Sequence, residues 1–186
     1  MNSKILLTSF QTWLAHHKSN SSDDLLATVQ KQNYDFVSLS FLRNLPVDIE
    51  LASQKAIATI KELQPDAIIC CGMAELRNTL TIESNAIHQN ECLYTTVSLT
   101  DLIELLIATK LSEDAGKFVC EGLYYQILKF TQSLEKNIPC IFVHVPLLDK
   151  NNFKLIHQDF VSIIRFMDNF SQNFKTKNEH RAKTKI

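Results

Sequence analysis

The chain has 186 residues, with 20 acidic and 19 basic side chains and a formal net charge of −1. This is the length of one domain with a single substantial core. The balanced charge excludes the strongly basic surface of nucleic-acid-binding proteins. No apolar run approaches the roughly 20 residues that a membrane span needs, and the N-terminal segment lacks a secretory pattern. We therefore expect a soluble, cytoplasmic protein that binds neither nucleic acid nor membrane.

The cysteine and glycine content narrows the chemistry further. An odd number of cysteines argues against a disulfide framework; they are Cys70, Cys71, Cys92, Cys120 and Cys140. No CxxC pair is present, and adjacent cysteines lack the spacing of a zinc site. With only three glycines, the chain has neither G-x-G-x-x-G nor a P-loop. These features favour one functional thiol among buried cysteines and exclude a glycine-rich phosphate site.

The first half of the chain alternates apolar runs with helical patterns. Buried strands are predicted at 4–10, 34–42 and 67–72, because each is a short run of apolar and branched residues. A helix is predicted at 22–30 after a polar, serine-rich stretch, and another within 47–63 with Asp48 as its N-cap.

The second half continues this alternation. The predicted elements are, in chain order, strands at 80–84 and 93–97, a short helix within 98–110, a helix at 118–134, a strand at 138–146 and an amphipathic helix at 153–174. The basic, polar segment 175–186 is predicted to be a disordered tail. Apolar strands alternating with helices indicate a parallel-type sheet covered on both faces. We therefore predict one α/β domain, residues 1–174.

Three residues in this pattern could carry chemistry. Cys120 lies near the start of a predicted helix, where the helix end or an imidazolium partner is expected to lower the thiol pKa. His144, in the buried strand FVHVP, could act as a general base. Glu83, in the apolar stretch LTIESNA, could orient the imidazole. In open sheets of this class, sites form at the carboxyl ends of strands, and these segments fall near such ends.

Each of these residues also has an ordinary structural interpretation. Cys120 could be a core cysteine, His144 a hydrogen-bonded core histidine and Glu83 an exposed strand residue. Spacing alone leaves both interpretations open. The histidines His16 and His17 lie in a polar loop and are weaker candidates.

Four segments together resemble the pyrrolidone-carboxylate peptidases, or pyroglutamyl peptidase I family. ILLTSFQTW (5–13) is similar to the family's ILLTGFEPF, and PDAIICCGMAELRNTLTIESNA (65–86) is similar to its G-Q-A-G-G-R segment followed by I-x-x-E-x-x-A. SEDAGKFVC (112–120) resembles the nucleophile motif S-x-x-A-G-x-Y-V-C, and IFVHVP (141–146) resembles F-I-H-V-P. LPV (45–47) is a smaller match. The segments keep the family's order and cover most of the chain.

The resemblance implies a cysteine peptidase that removes N-terminal pyroglutamate from peptides through a thioacyl intermediate. Cys120 would be the nucleophile, His144 the base and Glu83 the orienting acid, with backbone N–H groups at the helix start holding the oxyanion. No metal or cofactor would be needed. The implied fold is a three-layer α/β/α sandwich with a mostly parallel, mixed sheet. The partner would be a peptide or small amide, and a homo-oligomer, dimer or tetramer, is expected.

The residues expected to bind substrate match the family less well. By the resemblance they are Phe10, Trp13, Met73, Arg77, Phe118 and Val119. Trp13 stands for a phenylalanine and Met73 for a glutamine, while Glu75 and Leu76 replace a Gly-Gly pair. Recognition of a small polar ring depends on placed hydrogen bonds. Three functions therefore remain open: a pyroglutamyl peptidase, a cysteine hydrolase of other acyl or amide substrates, and a non-catalytic binding protein with a relic triad.

Overall fold

The structure, a computed structural model, describes the backbone of residues 2–183 and the side chains of residues 2–174. In this part of the chain, eight strands alternate with five helices. In chain order they are β1 (Ser3–Phe10), α1 (Ser21–Gln30), β2 (Val37–Leu45), α2 (Ile49–Leu63), β3 (Ala67–Met73), β4 (Thr81–Glu83), β5 (Asn85–His88), β6 (Glu91–Tyr94), α3 (Leu99–Ile103), β7 (Lys110–Ser112), α4 (Val119–Ser133), β8 (Cys140–Val145) and α5 (Phe153–Lys183).

Six of these strands form one central sheet in the order β2-β1-β3-β8-β4-β7. Neighbouring strands are parallel except β4, which runs antiparallel to β8. β5 and β6 form a separate antiparallel pair. The predicted α/β class and the mostly parallel, mixed sheet are confirmed.

Side-chain alternation along the strands builds two hydrophobic cores, one on each face of the sheet. Ile5 and Leu7 of β1 face the core formed with α1 and α5. Leu6 and Phe10 of the same strand face the core formed with α2 and α4. Each fully buried aliphatic side chain contributes about 1.5–3 kcal/mol relative to exposure. Burial on both faces therefore holds the three layers together.

Local capping fixes where the helices begin. The Asp48 side chain accepts a hydrogen bond from Leu51 N at 2.8 Å, as predicted, and Asn20 accepts one from Ser22 N at 3.0 Å. Such caps satisfy N–H groups that a helix leaves without an intrahelical partner. Because α1 follows β1 and α2 follows β2, these caps fix the residue at which each helix begins after its strand.

The structure differs from the predicted elements mainly where strands are short. β5 and β7 were not predicted, and β6 lies slightly before the predicted strand at 93–97. Each has only three or four residues, too few for a usable sequence period, and is defined by its pairing: β7 with β4, and β5 with β6.

The C-terminal helix also extends further than predicted. α5 continues to Lys183, whereas 175–186 was expected to be disordered. Helix propagates readily once a packed segment has nucleated it. Residues 184–186 of the predicted tail lie outside the described residues. In the described part of the chain, no helix is long and apolar enough to cross a membrane.

Candidate active site

Glu83 and His144 meet on the sheet face covered by α4, and Cys120, the third predicted catalytic residue, lies at the start of that helix. In β8, Phe142 packs in the core beneath α4, and alternation places His144 on the same face. β4 runs beside β8 with Thr81 opposite His144 and Glu83 opposite Phe142. Because both strands present this set of residues to one face, Glu83 and His144 become neighbours although 61 residues separate them.

Glu83 and His144 form a buried hydrogen-bonded pair. Nδ1 of His144 lies 2.7 Å from Oε1 of Glu83, and the residues are 4% and 0% exposed respectively. The same oxygen also accepts hydrogen bonds from Arg77 and, at 3.3 Å, from the Thr81 hydroxyl. The Tyr124 hydroxyl donates to the backbone carbonyl of Glu83 at 3.2 Å. Oε1 therefore receives these side-chain hydrogen bonds, whereas Oε2 is buried without a hydrogen-bond partner among the described residues.

The charge of Glu83 is maintained despite its burial. Burial is the largest effect and favours the neutral acid, but hydrogen bonds from His144, Ser112 and Arg77 together outweigh it and hold the Glu83 pKa below its ordinary value. An ionised carboxylate can only accept hydrogen bonds, so Nδ1 of His144 is the donor. In the neutral ring, the other nitrogen, Nε2, is then the one that can accept a proton.

Gly72 in β3 brings the Cys120 sulfur to the same place. Gly72 is paired with His144 across the β3–β8 ladder. A Cβ atom added at Gly72 would lie only 2.6 Å from Sγ of Cys120 and 3.0 Å from the Phe142 ring. The sulfur therefore rests directly on the glycine backbone, one strand from His144, and a larger residue would displace it.

The electrostatic environment of Cys120 differs from the predicted one. Cys120 is half-buried at the second position of α4. Burial, followed by the negative charge of Glu83, raises the thiol pKa to about 12, and nearby Arg77 only partly offsets this. The thiol pKa is therefore raised, not lowered as expected, because desolvation disfavours the thiolate. At neutral pH the thiol is protonated, so attack by sulfur would require a base.

A pocket of about 240 Å³ opens beside Cys120 and His144. Five of the predicted substrate-binding residues line it: Phe10, Trp13, Met73, Phe118 and Val119. The sixth, Arg77, lies behind Glu83 and donates to the Asp114 carbonyl at 2.7 Å. Its contacts are those of a residue that positions Glu83 and the loop preceding Cys120.

The pocket wall is largely aromatic and apolar. The rings of Trp13 and Phe118 are 4.9 Å apart at 31° and both are substantially exposed. The Met73 sulfur lies 3.5 Å from the Ser21 backbone N–H. A thioether is only a weak acceptor and cannot donate, so Met73 offers a polar ring fewer hydrogen bonds than a glutamine would.

Several pocket residues were not predicted from the sequence. They come from the loops after β1 and β3, from the β2–α2 connection and from the turn before α4: Gln11, Leu14, His17, Asn20, Val47, Glu75, Ala115, Gly116 and Lys117. Gly116, at φ 90°, was signalled by its place in the nucleophile motif. The approach of His17 to Glu75 had no sequence signal, because 58 residues separate them.

Comparison with known proteins places this geometry in context. The pyrrolidone-carboxylate peptidase of Thermoanaerobacter sp. (strain X514) is 27% identical over 171 aligned positions, covering 78% of this chain and 83% of that protein. Pyrrolidone-carboxylate peptidase 1 of Caldanaerobacter subterraneus subsp. tengcongensis is 24% identical over 186 positions, covering 86% and 90%. No family model matches the chain.

Solved structures show the same fold. Pyroglutamyl peptidase I from Bacillus amyloliquefaciens superposes with a TM-score of 0.77 at 21% identity, covering 92% of this chain and 95% of that one. Pyrrolidone carboxyl peptidase from Thermococcus litoralis gives 0.75 at 18% identity, covering 95% and 96%. The chain is thus similar in sequence to the pyrrolidone-carboxylate peptidases and shares their fold.

Proposed function

We propose that this chain is a cysteine peptidase that removes N-terminal pyroglutamate from peptides. The observation that carries the proposal is the buried 2.7 Å contact between His144 and Glu83, in a pocket that also contains Cys120. The relatives named above support the reaction class. A nucleophile, a base and a group that orients the base are the components that acyl transfer through a thioester requires.

The reaction would begin with a proton transfer. Because the Cys120 pKa is raised to about 12, Nε2 of His144 would accept the thiol proton as Sγ attacks the acyl carbon. The tetrahedral intermediate would then collapse, and the departing amine would take the proton from His144. Water, deprotonated by His144, would next attack the thioester, releasing the free acid and returning the proton to Cys120. Glu83 would stabilise the imidazolium in both halves.

The start of α4 would supply the oxyanion site. Cys120 is the second residue of this 15-residue helix, and the first N–H groups of a helix have no intrahelical acceptor. These groups and the positive end of the helix dipole favour negative charge at this position. Backbone N–H groups there would therefore stabilise the negative oxygen of the tetrahedral intermediate.

A second candidate function is hydrolysis of a different acyl or amide substrate by the same triad. The observation that favours it is the pocket wall, where Met73 and Glu75 stand in place of the residues of the family pattern. A less polar wall would reduce discrimination for a lactam. A non-catalytic binding protein with a relic triad is the third function, and it requires Cys120 to be unreactive.

The decisive experiment measures amine release from a fluorogenic pyroglutamyl conjugate. The native protein is compared with Cys120→Ser and with Cys92→Ser, which removes an exposed thiol outside the pocket. We expect release by the native protein and by Cys92→Ser, and none above background by Cys120→Ser. No release by the native protein excludes the pyroglutamyl function. Acylation of Cys120 by other activated esters would then favour the second candidate, and no acylation the third.

The proposal includes a cytoplasmic location and a peptide or small amide as the partner. It also includes a homo-oligomer, for which exposed apolar side chains such as Leu76 and Ile107 are candidate contacts. Light scattering on the purified protein measures the oligomeric state directly. A monomer at micromolar concentration would exclude a stable assembly.

A further inference from the structure

Two histidines and a carboxylate converge at the edge of the pocket. Nε2 of His17 lies 2.9 Å and Nε2 of His16 lies 3.6 Å from the same oxygen, Oε2 of Glu75. All three potential ligand atoms lie within 4.8 Å of one another. Within the described part of the chain, this is the one group of three such side chains close enough to hold a metal ion.

Burial fixes the orientation of the central ring. The His17 side chain is only 8% exposed, and its Nδ1 is buried without a hydrogen-bond partner among the described residues. Nε2 is therefore the ring nitrogen presented to the cluster. His16 contributes a second Nε2. Its ring is mostly exposed and packs edge-on against the His17 ring, with the two ring centroids 4.2 Å apart.

The two separations between histidine nitrogen and Glu75 oxygen are close to those between neighbouring ligand atoms around a metal ion. Zinc is bound by imidazole nitrogen and carboxylate oxygen at about 2.0–2.2 Å, usually with tetrahedral geometry. Ligand atoms at such distances are separated from one another by roughly 3.3 Å, the edge of that tetrahedron. The observed 2.9 and 3.6 Å separations bracket this edge, so small side-chain movements would admit an ion.

We propose that His16, His17 and Glu75 form a binding site for a divalent transition-metal ion, with Zn²⁺ as the probe. Two imidazoles and one carboxylate are a ligand set that zinc uses when a fourth position stays open to water or another ligand. The site does not depend on the proposed peptidase function, because it uses none of the triad residues.

The site also has a defined place in the fold. His17 lies in the loop after β1 and Glu75 in the loop after β3, and both line the pocket that contains Cys120. The first loop also supplies Trp13 to the pocket, and β3 ends at Met73, which lines the same pocket. A bound ion would therefore link the two loops that form the variable wall of the pocket.

Calorimetric titration of untagged Cys120→Ser protein with Zn²⁺ tests this site without the reactive thiol. We expect one ion per chain. His16→Gln and Glu75→Gln each remove one ligand. Loss of a group that only supports a ligand weakens metal binding by roughly 10- to 100-fold, and these two variants should weaken Zn²⁺ binding by more than that. His157→Gln is the matched control, since His157 lies in α5 and contacts Gln32 with no carboxylate partner. Its affinity should be unchanged.

Cobalt substitution identifies the ligands independently of affinity. Co²⁺ bound at this site should give the visible spectrum of a four- or five-coordinate nitrogen and oxygen site, without thiolate charge transfer. A thiolate band would assign the metal to a remaining cysteine and overturn the proposal. So would the absence of Zn²⁺ binding, or binding that is equal in Glu75→Gln, His16→Gln and the His157→Gln control.

Discussion

The predicted triad and the pocket wall beside it differ in how they are built. Glu83 and His144 project from paired strands, and the sulfur of Cys120, at the start of helix α4, rests on Gly72. Trp13 and Glu75, by contrast, lie in exposed loops. The triad keeps the residues of the family pattern, whereas the wall departs from it. Under the proposed function, reaction chemistry and substrate choice would be carried by separate parts of the fold, as is general for sites on rigid scaffolds with variable loops.

The largest effect should follow from neutralising the buried acid. Glu83→Gln keeps the shape but removes the charge that stabilises the His144 imidazolium, so kcat should fall by roughly 10²- to 10⁴-fold. Steady-state kinetics with a pyroglutamyl amide measures this change. Thr81→Val removes the weaker 3.3 Å hydrogen bond to the same oxygen and the hydrogen bond from Arg77 to Thr81, but it keeps the carboxylate charge and so serves as the control. An equal loss in both variants would contradict a specific role for the carboxylate.

A somewhat smaller loss is expected from filling the position beneath the sulfur. Gly72→Ala would place a methyl group 2.6 Å from Cys120 Sγ, so the sulfur must move, and misplacement by about 1 Å can cost roughly 10²-fold in rate. Gly122→Ala is the matched control, because its added Cβ would contact the Ile49 side chain instead. Both variants are compared for kcat and thermal midpoint. Full activity in a folded Gly72→Ala protein would show that the sulfur is not confined there.

The reactivity of Cys120 should change steeply with pH. Because burial raises the thiol pKa to about 12, the neutral thiol dominates below that value. The thiolate fraction, and with it the rate of iodoacetamide alkylation, should rise about tenfold per pH unit above neutrality. Mass spectrometry of the Cys120 peptide follows the rate in a Cys92→Ser background. A plateau already reached between pH 6 and 8 would instead indicate a thiolate–imidazolium pair.

The smallest effect is expected from a substitution in the pocket wall, at Met73. Met73→Gln introduces an amide that can donate and accept hydrogen bonds, so KM for a pyroglutamyl amide should fall severalfold, about 1 kcal/mol for one net hydrogen bond, with kcat nearly unchanged. Met73→Leu keeps an apolar side chain and should not lower KM. If kcat changes and KM does not, Met73 affects the triad, and this result would contradict separate roles for the pocket wall and the triad.

Much of the fold could be predicted because it is encoded locally. Alternating apolar runs specified β1, β3 and β8, and polar caps such as Asp48 marked helix starts. The resemblance in short motifs also indicates Cys120, His144 and Glu83 as catalytic residues, and these roles stay a prediction. The short strands β5 and β7, and the reversal of β4 against β8, could not be predicted in this way. Segments of three or four residues carry no usable period, and their pairing defines them.

The amino-acid sequence by itself therefore determined the layered α/β architecture and the chemical types of the triad, since periodicity and motifs are local properties. Only the tertiary structure decided the contacts and the surroundings of these residues. It placed Arg77 behind Glu83, seated the Cys120 sulfur on Gly72 and raised the thiol pKa by burial. It also joined His17 to Glu75. Contacts and desolvation of this kind depend on segments far apart in the chain, which no local pattern records.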